Sequence, residues 1–75
     1  MDKPTKFARS ARKHRIGRRH VYFVMEHNRP HTMEEEHYWV GMDERGVELE
    51  ILAVETPDCL LVIHVMPTQY RRGQR

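Results

Sequence analysis

The sequence predicts an α+β fold in which two short N-terminal helices pack on a three-stranded antiparallel sheet. Two observations support it: apolar residues recur at helical spacing in the first third of the chain, and strand-like apolar runs fill the last half. With 75 residues the chain has room for one domain, residues 1–75, in which residues 1–5 and 70–75 are expected to be flexible tails.

The first helix is predicted over Lys6 to His14, with Thr5 as its N-cap and Gly17 as the residue that stops it. Its narrow apolar stripe consists of Phe7, Ala8 and Ala11. The second helix is predicted over Arg18 to His27. Because Val21-Tyr-Phe-Val24 is also good strand material, a strand remains the alternative for this segment.

A loop over residues 28–36 leads into the predicted sheet. Three strands are expected, at 37–42, 47–54 and 59–66. The first hairpin turn is Asp43-Glu-Arg-Gly46, since glycine adopts positive φ without steric cost. The second connection is Thr56-Pro-Asp58.

Alternation within the strands predicts which side chains are buried. In the middle strand the expected buried residues are Val47, Leu49, Ile51 and Ala53. Glu48 and Glu50 then lie on the other face. Regular alternation in the last strand places His64 on the face that it shares with Leu60 and Val62.

Positive charge is concentrated at the two ends of the chain. Residues 1–20 hold eight Lys or Arg and one acid, residues 21–58 hold two arginines and ten acids, and residues 59–75 hold three arginines and no acid. Clustered positive charge attracts a polyanion. A solvated surface without a ligand is the alternative interpretation of the N-terminal cluster.

The single cysteine, Cys59, excludes an intrachain disulfide and fits a reducing compartment. Its place in an apolar strand favours packing over nucleophilic chemistry. No apolar run approaches the ~18–20 residues of a membrane helix, and the N-terminus lacks the hydrophobic segment of a signal peptide. We therefore expect a soluble, cytoplasmic protein without a membrane partner.

Several residues suit metal-independent cleavage of RNA. In that reaction the RNA 2′-hydroxyl is the nucleophile, so the protein supplies a base, an acid and cations for the developing negative charge. Candidates for moving protons are His64, Glu50 and Tyr70, and candidates for stabilising charge are Arg12, Arg71 and Arg72. A purely structural role is the alternative for each. His64 is then a core residue, Glu50 is a solvated surface residue, and Arg71 and Arg72 form a solubilising tail.

The six histidines do not form a metal-binding pattern. Only His27 and His31 are four residues apart, and Pro30 between them interrupts a shared helical face. The chain also lacks zinc-type Cys or His pairs, a Gly-rich phosphate loop and a Gly-x-Ser-x-Gly motif. The sequence predicts no metal and no cofactor.

Three segments, in their order and spacing, resemble the small bacterial toxins related to BrnT, within the broader RelE-like group. They are Ser10-Ala-Arg-Lys-His-Arg-Ile16, Tyr38-Trp-Val-Gly-Met-Asp-Glu-Arg-Gly-Val-Glu-Leu-Glu-Ile51 and Val62-Ile-His-Val-Met-Pro67. The likeness spans residues 8–72. The chain departs from the family pattern at Val65, where alanine is frequent, and at Gly17-Arg-Arg19, where Ser or Thr followed by acids usually caps the second helix.

The resemblance implies a type II toxin that cleaves mRNA without a metal ion and thereby inhibits translation. It also implies neutralisation by a cognate antitoxin in a hetero-oligomer, which binds promoter DNA mostly through the antitoxin. Together with the charge pattern, it gives a candidate site. The residues assigned to catalysis are His64, Glu50 and Arg71, and those assigned to nucleic-acid binding are Arg12, Lys13, His14 and Arg72.

Two other functions fit the same residues. One is a non-catalytic module that binds nucleic acid or docks a partner protein. The other is a chain that keeps the toxin fold but has lost activity. The acidic segment Glu34–Glu36 is either a solvated loop or a contact for a basic antitoxin segment.

Overall fold

The computed structural model describes residues 3–73, with side chains described up to Tyr70. In chain order its elements are β1 Thr5–Phe7, a 3-10 turn Arg9–Arg12, α1 Arg18–His27, β2 His31–Met33, β3 Glu36–Met42, β4 Glu48–Glu55, β5 Leu60–Pro67 and α2 Thr68–Gly73. Thr5 therefore opens a strand, and α2 occupies part of the segment for which the sequence predicts a flexible tail.

The predicted architecture of two N-terminal helices on a three-stranded antiparallel sheet is wrong. The sheet has five strands in the order β1-β5-β4-β3-β2, and it is mixed because β1 runs parallel to β5. The prediction of a second helix over Arg18–His27 is confirmed by α1. The three predicted strands are also present, as β3, β4 and β5.

The predicted first helix is replaced by β1 and the 3-10 turn. Thr5–Phe7 pairs with Leu60–Val62, and the backbone amide of Leu60 donates to the Pro4 carbonyl at 2.9 Å. This pairing satisfies backbone groups that an exposed edge of β5 would leave unpaired. A short isolated helix with a narrow apolar stripe is only marginally stable, so the long-range pairing prevails.

The second strand missing from the prediction is β2, within the segment 28–36 that the sequence predicts as a loop. It has three residues, all exposed, and pairs antiparallel with β3. A strand this short and exposed leaves no alternation of buried and exposed residues to detect. Glu34 adopts φ 56° in the connection between the two strands.

The core lies between α1 and one face of the sheet, which we call the helix face. From β4 it receives Leu49, Ile51 and Ala53, each 0% exposed, as the alternation predicts. Val21 and Val24 of α1 pack against them and are also 0% exposed. Because successive strand residues point to opposite sides, Glu48, Glu50 and Leu52 belong to the other side of the sheet, which we call the opposite face.

A β-bulge in β5 decides where His64 points. Leu52 pairs with His64, but the next residue, Ala53, pairs with Val62. Ile63 is therefore an extra residue in β5, opposite no single partner. The side chains before Ile63 and those after it therefore alternate between the two faces with an offset of one residue.

The bulge places Val62 and His64 on different faces. Val62 and Val65 are 0% and 1% exposed on the helix face, three residues apart rather than two or four. His64 lies between them in the chain and is turned to the opposite face. The prediction that His64 shares a face with Leu60 and Val62 is therefore wrong, because regular alternation does not continue through a bulge.

Gly41 of β3 lies where the end of α1 meets the sheet. Asn28, the residue after α1, donates from Nδ2 to the Val24 carbonyl at 2.9 Å. A Cβ atom at position 41 would lie 2.3 Å from Asn28 Nδ2 and 2.5 Å from its Cγ. Only glycine leaves room for this amide, so Gly41 permits the close approach of α1 to β3.

Replacing Gly41 with alanine is expected to lower the free energy of unfolding by about 1–3 kcal/mol, because Asn28 must move and lose its bond to α1. Urea denaturation measures the change. Met42→Ala, at the exposed next residue, serves as the control and is expected to cost less than about 0.5 kcal/mol. Equal stability of Gly41→Ala and the unmodified protein would contradict this packing of α1.

Candidate functional site

His64 and Glu50 form a pair on the opposite face of the sheet. His64 Nε2 lies 2.8 Å from Glu50 Oε2, across the β4–β5 pairing. The imidazole is 37% exposed, whereas the glutamate side chain is 10% exposed. The carboxylate is therefore held inside the sheet surface, and the imidazole is the member of the pair that a substrate can reach.

The surroundings of the pair are mostly apolar. Leu52 is directly across from His64, and the strand partners of Leu52 and Glu50 in β3 are Tyr38 and Val40. Residues 46–70 contain no Lys or Arg. A cation that approaches the pair must therefore come from another part of the chain or from a ligand.

The C-terminal helix begins beside this face. Thr68 Oγ1 donates to Glu48 Oε1 at 2.6 Å, which fixes the first residue of α2 to β4. Further along α2, the ring of Tyr70 lies 5.5 Å from that of His14. The segment after the 3-10 turn is thus brought to α2, close in the fold to the end of β5.

The structure brings together some of the predicted site residues and separates others. His64 and Glu50 form the central pair, and His14 reaches α2 through Tyr70. Lys13 is exposed. The side chains of Arg71 and Arg72 lie outside the described residues, so their predicted convergence with His64 stays a prediction.

The predicted RNA-binding residue Arg12 instead lines a cleft at the edge of the helix face. This cleft, which we call the arginine cleft, has a volume of about 390 Å³. Its lining consists of Phe7, Ala11, Arg12, Arg15, Ile16, Gly17 and Arg18. This cleft was not predicted from the sequence, although arginines at every third position from 12 to 18 are a detectable signal.

Local backbone geometry positions the rim of the arginine cleft. Arg15 adopts φ 57°, a left-handed conformation that costs a non-glycine residue about 1–2 kcal/mol. Its amide donates to the Arg12 carbonyl at 3.0 Å and closes the turn. The chain then extends through Gly17 into α1, so Arg12, Arg15 and Arg18 all line the same depression.

A cluster of possible metal ligands occurs at a third place, formed by His20, Asp43 and Glu44. Their ligand atoms lie within 4.8 Å of one another. Asp43 Oδ1 accepts from the amides of Arg45 and Val47, at 2.8 and 3.0 Å, and Oδ2 accepts from Arg45 Nε and Nη2, at 2.9 and 2.7 Å. With both oxygens saturated and a guanidinium in contact, this carboxylate is unsuited to a cation.

We therefore assign this cluster a structural role. His20 Nδ1 of α1 lies 2.5 Å from Glu44 Oε2, so it ties the helix to the β3–β4 hairpin. In the same turn Gly46 has φ 80°, which confirms the predicted hairpin. Burial raises the pKa of Asp43, but hydrogen bonds from the Arg45 side chain and the amides of Val47 and Arg45 outweigh it and lower this pKa below its usual value.

No protein-family model matches the chain, and comparison with curated proteins and with solved structures finds no match either. The resemblance to BrnT-like toxins consequently stays a prediction made from three sequence segments. Within residues 3–73, neither α1 nor α2 combines the length and the apolar character needed to cross a membrane. The His64–Glu50 pair and the arginine cleft are therefore the two features of the structure that bear on function.

Asp43→Asn is expected to lower the free energy of unfolding at pH 7 by about 2 kcal/mol, because charge-assisted hydrogen bonds in the hairpin are lost. A lowered pKa means that the folded state favours the carboxylate. Its stabilising contribution is therefore complete above the ordinary pKa and disappears as the pH falls below about 4.

Chemical denaturation between pH 7 and pH 2 tests this expectation. The unmodified protein should lose more stability than Asp43→Asn over this range, and the two should converge at the acidic end. As a control, Asp58→Asn alters an exposed carboxylate of the β4–β5 turn. An Asp43→Asn variant with an unchanged acid dependence would show that Asp43 is not the group responsible.

Proposed function

We propose that this protein is a metal-independent endoribonuclease in which His64 and Glu50 handle protons. The single observation that supports it is the 2.8 Å contact between a reachable imidazole and a nearly buried carboxylate. Placing a carboxylate where water reaches it poorly costs stability compared with placing a well-packed apolar residue there. Its presence in the middle of an apolar sheet is therefore better explained by chemistry than by folding.

The pair is suited to proton abstraction from an RNA hydroxyl. When Nε2 of His64 carries the proton, it donates to Glu50, and Nδ1 is left as a base. Nδ1 takes the proton of the 2′-hydroxyl. At the same time the 2′-oxygen bonds to phosphorus, and the bond between phosphorus and the 5′-oxygen breaks. The products are a 2′,3′-cyclic phosphate and a 5′-hydroxyl, whose proton comes from solvent. Glu50 stabilises the imidazolium that forms.

The proposed biological role is that of a type II toxin that acts on mRNA in the cytoplasm. Support comes from the resemblance of three segments to BrnT-like toxins and from the His64–Glu50 pair. A cognate antitoxin would neutralise the toxin, and their complex would contact promoter DNA through the antitoxin. Val40 and Met42, 39% and 57% exposed on the opposite face, offer apolar area for such a partner. In this proposal Arg71 supplies the cation that stabilises the developing negative charge.

Purified protein is expected to cleave single-stranded RNA in the presence of EDTA and to leave 2′,3′-cyclic phosphate ends. His64→Gln should lower the cleavage rate by roughly 10²–10⁴-fold, the usual contribution of general acid–base catalysis. Glu50→Gln should also lower it, because the imidazolium loses its partner. Gel analysis of a labelled oligonucleotide gives the rates, and periodate-based end mapping gives the products.

His31→Gln is the matched control, since His31 is exposed on β2 and has no place in the pair. It should cleave as fast as the unmodified protein. A substrate with 2′-deoxyribose throughout should resist cleavage because it lacks the nucleophile. Cleavage that survives in His64→Gln, or that requires a divalent metal, would overturn the proposal.

A second candidate function is nucleic-acid binding without catalysis. The observation in its favour is that Arg12, Arg15 and Arg18 lie at the edge of the helix face, away from the His64–Glu50 pair. If this function is the right one, His64→Gln leaves RNA affinity unchanged, no RNA is cleaved, and binding weakens steeply with salt.

A further inference from the structure

The arginine cleft combines three cations with an apolar floor. Arg12, Arg15 and Arg18 form part of its rim, and all three are exposed. The floor is formed by Phe7, Ala11 and Ile16, which belong to or pack against the core. At about 390 Å³ the cleft falls within the range of small-molecule sites in proteins, roughly 300–1,000 Å³.

The charge of the cleft is not neutralised within the described part of the chain. Several other cations have carboxylate partners: Lys3 pairs with Glu55, Arg19 with Glu44 and Arg45 with Asp43. Among residues 3–70, Arg12, Arg15 and Arg18 have no carboxylate within ion-pair distance. Bringing three like charges together around one depression is unfavourable by itself, and an anion placed between them removes that repulsion.

The start of α1 adds hydrogen-bond donors to the same rim. Gly17 is the N-cap of this ten-residue helix, provides no side-chain cap, and is followed by a first turn without an acid. The His20 amide donates to the Gly17 carbonyl at 3.1 Å, whereas the amides of Arg18 and Arg19 lack the side-chain acceptor that Ser, Thr or Asp would provide. A phosphate between the arginines would accept from these amides and interact favourably with the helix dipole.

The apolar floor restricts which anions fit. The guanidinium of Arg18 lies over the ring of Phe7, with Cζ 4.9 Å from the ring centroid. Tyr22 supports the same ring from the side, at 5.8 Å between centroids. The cleft is thus held in shape by aromatic packing, and it presents apolar area beside the cations. A ligand that fills it carries a phosphate and an apolar or aromatic body.

We propose that the arginine cleft is a binding site for a nucleoside monophosphate unit, either as a free nucleotide or as part of an RNA strand. The phosphate contacts the three arginines and the start of α1, and the base lies on the apolar floor. The site is separate from the His64–Glu50 pair, which lies on the opposite face. Its occupancy does not depend on whether that pair is catalytic.

Titration of the ¹⁵N-labelled protein with AMP, observed by NMR, tests this assignment. AMP is expected to bind saturably with a Kd below about 1 mM. The largest amide shifts should fall on residues 15–19 and not on Glu50 or His64. Adenosine and inorganic phosphate, tested separately, should each bind at least roughly tenfold more weakly than AMP, because each lacks one half of the recognised chemistry.

Arg15→Gln and Arg18→Gln should each weaken AMP binding by roughly tenfold or more, since each removes a charge-assisted hydrogen bond. The matched control is Arg9→Gln, an exposed residue of the 3-10 turn that does not line the cleft. It removes the same charge and should change the affinity less than about twofold. The amide spectrum of each variant verifies that it remains folded.

A comparison of two RNA strands distinguishes a free nucleotide or strand end from the internal phosphates of a strand. In the His64→Gln background, chosen to slow the proposed cleavage, an oligoribonucleotide with a 5′-phosphate is compared with the same strand lacking it. Tighter binding of the phosphorylated strand assigns the cleft to a strand end or free nucleotide, and equal binding with shifts at residues 15–19 assigns it to internal phosphates.

Three results would overturn the proposal: equal weakening by Arg9→Gln and the cleft variants, adenosine binding as tightly as AMP, or no saturable AMP binding. None of these results depends on RNA cleavage. Failure of the nucleotide-binding proposal can therefore be distinguished from failure of the endoribonuclease proposal.

Discussion

The bulge at Ile63 is the constraint on which the candidate site depends. Without it, β5 would alternate regularly and His64 would share the helix face with Val62, under α1 and among fully buried valines. A histidine there would face the cost of burying a polar ring. The bulge instead directs His64 to the opposite face, within 2.8 Å of Glu50. Bulges commonly redirect one side chain at functional sites, and this one does so at the only histidine of β5.

The same sheet explains why Glu50 is held so firmly. Leu49 and Ile51, its neighbours in β4, are both 0% exposed and lock the backbone of the strand against the core. Glu50 therefore has little freedom to move away from its neighbours, although it lies in an apolar setting. In such a setting the attraction between a carboxylate and an imidazolium is stronger than it is in water. A rigid, poorly hydrated carboxylate beside a reachable imidazole is an arrangement suited to proton transfer.

The two faces of the sheet carry different chemistry. The opposite face has the His64–Glu50 pair, and residues 46–70 include no Lys or Arg. The edge of the helix face has three arginines without carboxylate partners among the described residues. For an RNA ligand, this division places electrostatic attraction and proton transfer on separate elements, the segment before α1 and the strands β4 and β5. The proposed binding and the proposed cleavage can therefore be disturbed independently.

Sequence patterns predicted the features that arise from local periodicity or turn chemistry. The alternation of Leu49, Ile51 and Ala53 identified the buried side of β4, and glycine at position 46 identified the hairpin. The strand β1 and the bulge were missed for a shared reason. Each is determined by how one strand pairs with another, which leaves no signal in the residue pattern of a single strand. The arginine cleft was missed because its charges were counted as a cluster without regard to the apolar residues between them.

The orientation of His64 is tested most directly by a nuclear Overhauser experiment on its ring protons. If the bulge turns the imidazole as described, these protons show cross-peaks to the methyl groups of Leu52 on the opposite face, and none to Val21 or Val24 of α1. Cross-peaks to the two α1 valines would place the ring in the core. That result would remove the His64–Glu50 pair and, with it, the basis for catalysis.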